Sequence, residues 1–202
     1  LTAALFCVII FVGEFETILT EPKGEKTKLR RVLNMKNKNL LFITKGAVIA
    51  ALYVVMTLVS ATFDLASYEV QMRLSEALCV LPAFTFAAVP GLFIGCIISN
   101  LIAGTGIWDV IFGSLATLIG ALGTYLLRKI ALKYNWTGFI ASIPPIVSNA
   151  VIIPFVLAYT IDASWSIPML MLSVGLGEII ACGVLGTILF YVLKRYRSKL
   201  NL

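Results

Sequence analysis

"ALCVLPAFTFAAVPGLFIGCIISNLIA", residues 77–103, is an apolar run of about 27 residues without a charged side chain. One membrane-crossing helix needs about 20 residues, so how this run divides decides how many times the chain crosses. Pro82, the pair Pro90-Gly91 and Gly95 lie inside it. Proline and glycine are the natural stops of helices, and the break is placed at Pro90-Gly91, giving two short helices. Outward from this run, further spans are read at Leu41 to Phe63, Ile107 to Leu127, Gly138 to Tyr159 and Ile167 to Leu193. The expectation is an all-α integral membrane protein, a bundle of six transmembrane helices. Five helices, the second long and bent, is the alternative.

Composition points the same way. The 202 residues are 60% hydrophobic and 13% charged, with a mean hydropathy of +1.00, so a soluble domain of this length could not cover itself with a polar skin. The basic residues flank the spans. Lys36, Lys38 and Lys45 come at the start of the first, Arg128, Lys129 and Lys133 between the fourth and fifth, and Lys194, Arg195, Arg197 and Lys199 after the sixth. Six spans put all of these on one side, which the topology rule makes the cytoplasm, with both termini there. Five would split them. The net charge of +6 is accounted for by these clusters, and nucleic-acid binding is not indicated.

Residues 1–34 read differently. "LTAALFCVIIFVGEF" (1–15) is short for a span and has no basic segment before it, and "ETILTEPKGEKTKLRRVLN" (16–34) reads as polar and disordered. Residues 1–34 are therefore expected to be a non-native or disordered extension, with Met35 the start of translation and residues 35–202 a single six-helix domain. A genuine extension lying on or in the membrane is the alternative. "GEKTK" (24–28) lacks the pattern of a nucleotide-binding loop, so any ATP-driven step falls to another subunit.

The chain has no histidine, and Cys7, Cys79, Cys96 and Cys182 are scattered without C-x-x-C spacing. They read as small buried hydrophobes rather than disulfides or metal ligands. Ser–His and Cys–His catalysis are excluded, and no nucleophile–base pair is evident. No enzyme, metal or cofactor is expected.

Seven polar residues stand out against this background. Arg73 and Glu76 lie at the outer start of the second span, Asn100 near the outer end of the third, and Trp108 and Asp109 at the outer start of the fourth. Asn149 sits near the middle of the fifth and Glu178 about eleven residues into the sixth, near mid-depth at about 1.5 Å per residue. Each has a plain structural reading. Arg73 and Glu76, spaced i, i+3, could pair at the interface. Asp109 could cap a helix, Trp108 could belong to an aromatic belt, and the asparagines could bridge helices. Glu178 resists this, because ionisable groups at depth are costly and mark substrate or ion paths. Together the seven make an outward-facing pocket suited to a small, flat, polar heterocycle. In the first span, Ala47 and Ala51 make a small-xxx-small face, with Gly46 and Ala50 alongside.

"VQMRLSEALCVLP", "VPGLFIGCIISNLI", "GIWDVIFGSLATL", "IPPIVSNA" and "SVGLGEIIACGVLG" resemble the QueT family, substrate-binding membrane subunits (S components) of energy-coupling-factor (ECF) transporters. The resemblance runs from about residue 40 to about residue 195. It implies a six-helix subunit that captures a queuosine precursor, a 7-deazaguanine such as the aminomethyl base or queuine. Such a subunit docks on a transmembrane scaffold subunit with two ATPases, with Ala47 and Ala51 facing the scaffold. Carried onto the pocket, it assigns Glu178 and Asn149 to the base edge, Glu76 and Asp109 to exocyclic amines or the aminomethyl arm, and Trp108 to stacking. Arg73 orients Glu76. The competing expectations are an S component for another vitamin and a self-sufficient proton-coupled carrier.

Overall fold

The computed structural model describes residues 28–62, 72–134, 137–160 and 166–200, with side chains from residue 38 to residue 196. Every regular element among them is helical. α1 spans Lys28–Thr62, α2 Ala88–Ala103, α3 Ser114–Lys133, α4 Ile143–Thr160, α5 Ile167–Glu178 and α6 Thr187–Leu200. A 3₁₀ segment, Leu74–Ala83, precedes α2, and a second, Thr137–Ser142, leads into α4. Wider π-helical turns, Asp109–Gly113 and Ile179–Gly186, run into α3 and join α5 to α6. Residues 1–27 of the expected extension lie outside the described residues, as do 63–71 and 161–165 in the expected outer connections.

Among the described residues, four helices are long and apolar enough to cross a membrane: Lys38–Thr62, Asp109–Lys133, Thr137–Thr160 and Ile167–Tyr196. The other two spans of the expected six are short. Leu74–Ala83, at about 2.0 Å per residue, reaches roughly 20 Å, and α2 roughly 24 Å at 1.5 Å per residue. They form an antiparallel pair. The start of the 3₁₀ segment meets the ends of α1 and α2, while its end, Phe84, packs against Phe190 of α6 at 5.0 Å between ring centres.

The break between the two differs from the expected Pro90-Gly91. The chain turns at Phe84–Ala87, where the Phe84 and Thr85 amides close on Leu81 O and the Ala88 amide on Thr85 O. Pro90 falls in the first turn of α2, where a missing N–H costs nothing. Gly91 serves contact rather than turning. A Cβ built there would lie 2.6 Å from Gly46 O, and one at Gly95 would lie 2.9 Å from Ala50 O. The pair Gly91 and Gly95 thus lets α2 lie backbone to backbone on Gly46 and Ala50 of α1, the close approach that small residues four apart permit.

The 3₁₀ segment is the centre of the bundle: Ser75 through Ala83 are all buried. A helix apolar on every side belongs inside, and this setting sustains a 3₁₀ run longer than the usual three or four residues. α1 is tied to it at three heights. Tyr53 hydroxyl donates to Glu76, Thr57 hydroxyl to Ser75 Oγ at 2.8 Å, and the Leu74 amide to Ser60 Oγ at 2.9 Å.

Ring contacts and one lysine define the other end. Phe86 meets Phe42 and Tyr125, Arg128 lies over the Tyr125 ring, and Lys194 Nζ donates to Tyr134 O at 2.6 Å. The start of α1 and the ends of α3 and α6 therefore share one end of the bundle, and the basic clusters share it with them. Arg73, at the opposite end, is the one described basic side chain outside that group.

Gly91→Ala and Gly95→Ala should each cost about 1–3 kcal/mol, the range for overpacking a filled contact. Unfolding of purified protein in detergent is the measurement. Ala47→Leu on the exposed side of the same helix should stay within about 0.5 kcal/mol of the parent.

Candidate functional site

The site is assembled from the ends and midpoints of helices that the buried 3₁₀ segment holds together. Arg73 precedes that segment in extended conformation, with φ −99° and ψ 112°, and so does not share a helical face with Glu76. Its guanidinium turns sideways. Nη2 lies 2.7 Å from Asp109 Oδ2, and Nη1 donates to Asn100 Oδ1 at 3.0 Å. Asn100 Nδ2 in turn donates to Asp109 O at 3.1 Å. Arg73 thus orients Asp109 and Asn100, not Glu76 as expected, because the i, i+3 rule needs both residues inside a helix. The left-handed turn at Gly104, φ 67°, ends α2 and brings the chain round so that Asp109 can face Asn100.

Glu76 belongs to a second network. Tyr53 hydroxyl donates to its Oε1, while Cys79 Sγ at 3.0 Å and Asn149 Nδ2 at 3.2 Å donate to Oε2. Asn149 Nδ2 also donates to Glu178 Oε1 at 2.9 Å. One amide therefore bridges two glutamates. Arg73, Glu76, Asn100, Asp109, Asn149 and Glu178 are all buried.

Glu178 sits where α5 gives way to the π-helical turns. Along this helix Leu170, Val174, Glu178, Cys182, Gly186 and Phe190 are buried at every fourth position. A straight α-helix at 3.6 residues per turn would swing such a stripe about 40° further with each step. The wider turns slow that drift and keep Glu178 in line with the Gly186 contact to Ala77 and Val80 of the 3₁₀ segment. π-helical turns of this kind recur at functional sites.

Arg73, Glu76, Asn149 and Glu178 line a cavity with Gly113, Thr117, Ile153 and Val174; about 280 Å³ there is free of protein atoms. It is narrow, with internal room for roughly one water. Two buried oxygens beside these networks, Glu178 Oε2 and Asp109 Oδ1, have no hydrogen-bond partner. Leaving a buried acceptor unmet costs about 1–3 kcal/mol. Gly113 adjoins the Arg73 network, since a Cβ there would lie 3.1 Å from Asp109 Oδ1 and 3.2 Å from Asn100 Nδ2.

Trp108 stands apart. It is 43% exposed, lies against Phe112 and edge-on to Tyr159, and lines an apolar cleft with Leu115, Ile152 and Phe155 rather than the polar cavity. Ala47 and Ala51 face outward, in a stripe with Ile43, Val55 and Val59. Sequence reasoning missed Tyr53, Cys79, Gly113 and Thr117. For Tyr53 a signal existed: Gly46, Ala50, Tyr53, Thr57 and Ser60 recur at steps of four and three, a small and polar helix face that has no reason to meet lipid.

The family model described as "QueT transporter" matches residues 43–195, which include every residue named at the cavity. The curated "Queuosine precursor transporter QueT" of Lactococcus lactis subsp. cremoris (strain MG1363) is 34% identical over 105 residues, 52% of this chain. That match spans 62% of the relative's length. No solved structure matches.

Asp109→Asn should destabilise the protein by about 3–5 kcal/mol, because it leaves the Arg73 charge buried without its partner. In a double variant, Arg73→Met with Asp109→Leu, much of that loss should return. Chemical unfolding of the two variants against the parent measures the loss and its recovery.

Proposed function

This chain belongs to the QueT transporter family, and from that premise we propose that it is the substrate-binding subunit of an ECF-type importer that takes up a queuosine precursor. As a transporter with four long apolar helices it is a multi-pass membrane protein. The observation that carries the reading is the convergence of Glu76, Asn149 and Glu178, from three separate elements, on one cavity with an acceptor left unmet. A 7-deazaguanine brings several N–H donors and a flat ring, which suits a cavity lined both by polar groups and by the apolar Ile153 and Val174. Glu178 Oε2 takes a ligand N–H. Glu76, already given three donors, holds Asn149 in place. The cavity is narrower than a purine-sized base, so binding includes a widening of the bundle around it.

The exposed Ala47 and Ala51 stripe supports docking on a scaffold subunit. α1 carries two small-residue faces, and the inner one, Gly46 and Ala50, is occupied by α2. The outer one is left for a neighbour, with ATP hydrolysis supplied by two further subunits. The basic end faces the cytoplasm and the Arg73 end the outside, in line with the positive-inside rule. A second reading is a self-sufficient proton-coupled carrier using the amide-bridged glutamates. Uptake that survives loss of the energising module and collapses with the proton gradient would favour it.

Purified protein should bind a 7-deazaguanine base in preference to guanine and a panel of vitamins. Asn149→Ala should weaken that binding roughly 10- to 100-fold, the value of hydrogen bonds to charged groups. Folded protein that binds none of the deazaguanine bases removes the substrate assignment. Leu at both Ala47 and Ala51 should lower co-purification with the scaffold subunit while leaving the ligand affinity within about twofold. Intact assembly would remove the docking face.

A further inference from the structure

Among the described residues the acids are Glu76, Asp109 and Glu178, and all of them belong to the two networks at the cavity. The opposite end of the bundle, where the basic clusters gather, has no described carboxylate to answer them. There Lys194 Nζ is spent on Tyr134 O, and Lys133 stands over the Tyr134 ring, 4.9 Å from its centre. Arg128 is held more closely. Its guanidinium carbon lies 3.8 Å from the centre of the Tyr125 ring. Tyr125 packs on Phe86 at 4.8 Å between ring centres, and Phe86 stacks on Phe42 at 6.2 Å. Three rings, from α3, the Phe84–Ala87 turn and the start of α1, form a ladder that ends in a fixed cation. Phe86 is 47% exposed and Phe42 40%, and Leu126, next to Tyr125, is 76% exposed. The ladder therefore lies on the surface that meets lipid. Phe42 and Ala47 are about 140° apart around α1, which sets the ladder off the alanine stripe.

We propose that Arg128 and this ladder bind an anionic phospholipid of the surrounding leaflet. Arg128 takes the phosphate, and the rings take the first part of an acyl chain. A guanidinium resting on an aromatic face keeps its N–H edges free, and those edges match two phosphate oxygens in one plane. Among the described residues no acid competes for them. Aromatic rings suit the boundary between headgroup and chain, and an anionic membrane surface draws basic side chains toward it. One phospholipid meets both halves of the surface, the charge and the rings. A charge that is merely near such a surface contributes about fivefold in affinity, whichever residue carries it. A seated phosphate instead makes Arg128 worth far more than its neighbour Lys129, which is exposed. The inference does not depend on what the cavity binds.

The test titrates phosphatidylglycerol and phosphatidylcholine onto the full chain in detergent, read by native mass spectrometry, with thermal unfolding of the same samples. The parent should retain phosphatidylglycerol and unfold at a higher temperature with it, whereas phosphatidylcholine and inorganic phosphate should do neither. Arg128→Gln should weaken the retention roughly 10- to 100-fold, the range for hydrogen bonds to charged groups. Lys129→Gln, the same change of charge one residue along, should cost less than about fivefold. Phe86→Ala should weaken retention with no change of charge. Equal losses in Arg128→Gln and Lys129→Gln would overturn the site and leave a diffuse attraction. Equal retention of the two lipids by the parent would overturn the anionic selectivity. Stabilisation by inorganic phosphate alone would overturn the lipid as occupant. The comparison of lipids on the parent decides the proposal even where a variant does not fold.

Discussion

Arg73 and Glu76 lie at the head of the 3₁₀ segment, whose residues are buried from Ser75 to Ala83, so both polar heads must be met by protein. Each demand recruits a different set of helices. Arg73 draws Asn100 from the end of α2 and Asp109 from the start of the α3 rod. Glu76 draws Tyr53 from α1 and Asn149 from α4, and through Asn149 it reaches Glu178 at the end of α5. In an apolar bundle helix packing is weakly directional, since side chains meet lipid nearly as well as one another. Unmet polar groups are directional and costly. The order of the helices around the cavity follows from satisfying two neighbouring charges.

The same pressure shapes backbone geometry away from the charges. A 3₁₀ run of ten residues and eight residues of π-helix are both unfavourable departures from the α-helix, and they pack on each other through Gly186 and Ala77. One is overwound and the other underwound. Side by side they keep Glu76 and Glu178 at the height of Asn149, where a single amide can serve both.

The architecture was legible in the sequence because it depends on apolar run lengths and on where lysines and arginines cluster, both additive along the chain. Six helical segments and a shared basic end follow from those alone. What was misread depends on local conformation. Pro90 and Gly91 looked like a turn, yet proline is also at home in a first helical turn, and glycine is also a contact residue. Arg73 and Glu76 were paired on a helical face that Arg73, in extended conformation, does not occupy. Trp108 was assigned to a ligand because aromatic rings suit both ligands and lipid, and composition does not tell the two apart. Tyr53 passed as one more aromatic in an apolar span, though its face-mates Thr57 and Ser60 set it apart.

α1 meets α2 through Gly46 and Ala50, and the 3₁₀ segment through Tyr53, Thr57 and Ser60. Rolling α1 about its own axis would break all of these at once, so the helix is free to move only as one body with the segment behind it. Ala47 and Ala51 are exposed, about 100° round the helix from Gly46 and Ala50. Mechanically this makes α1 a lever arm rather than a bearing. Force applied from outside at the alanines is passed toward Glu76 through these contacts, and a neighbour that tilts this helix tilts the floor of the cavity with it.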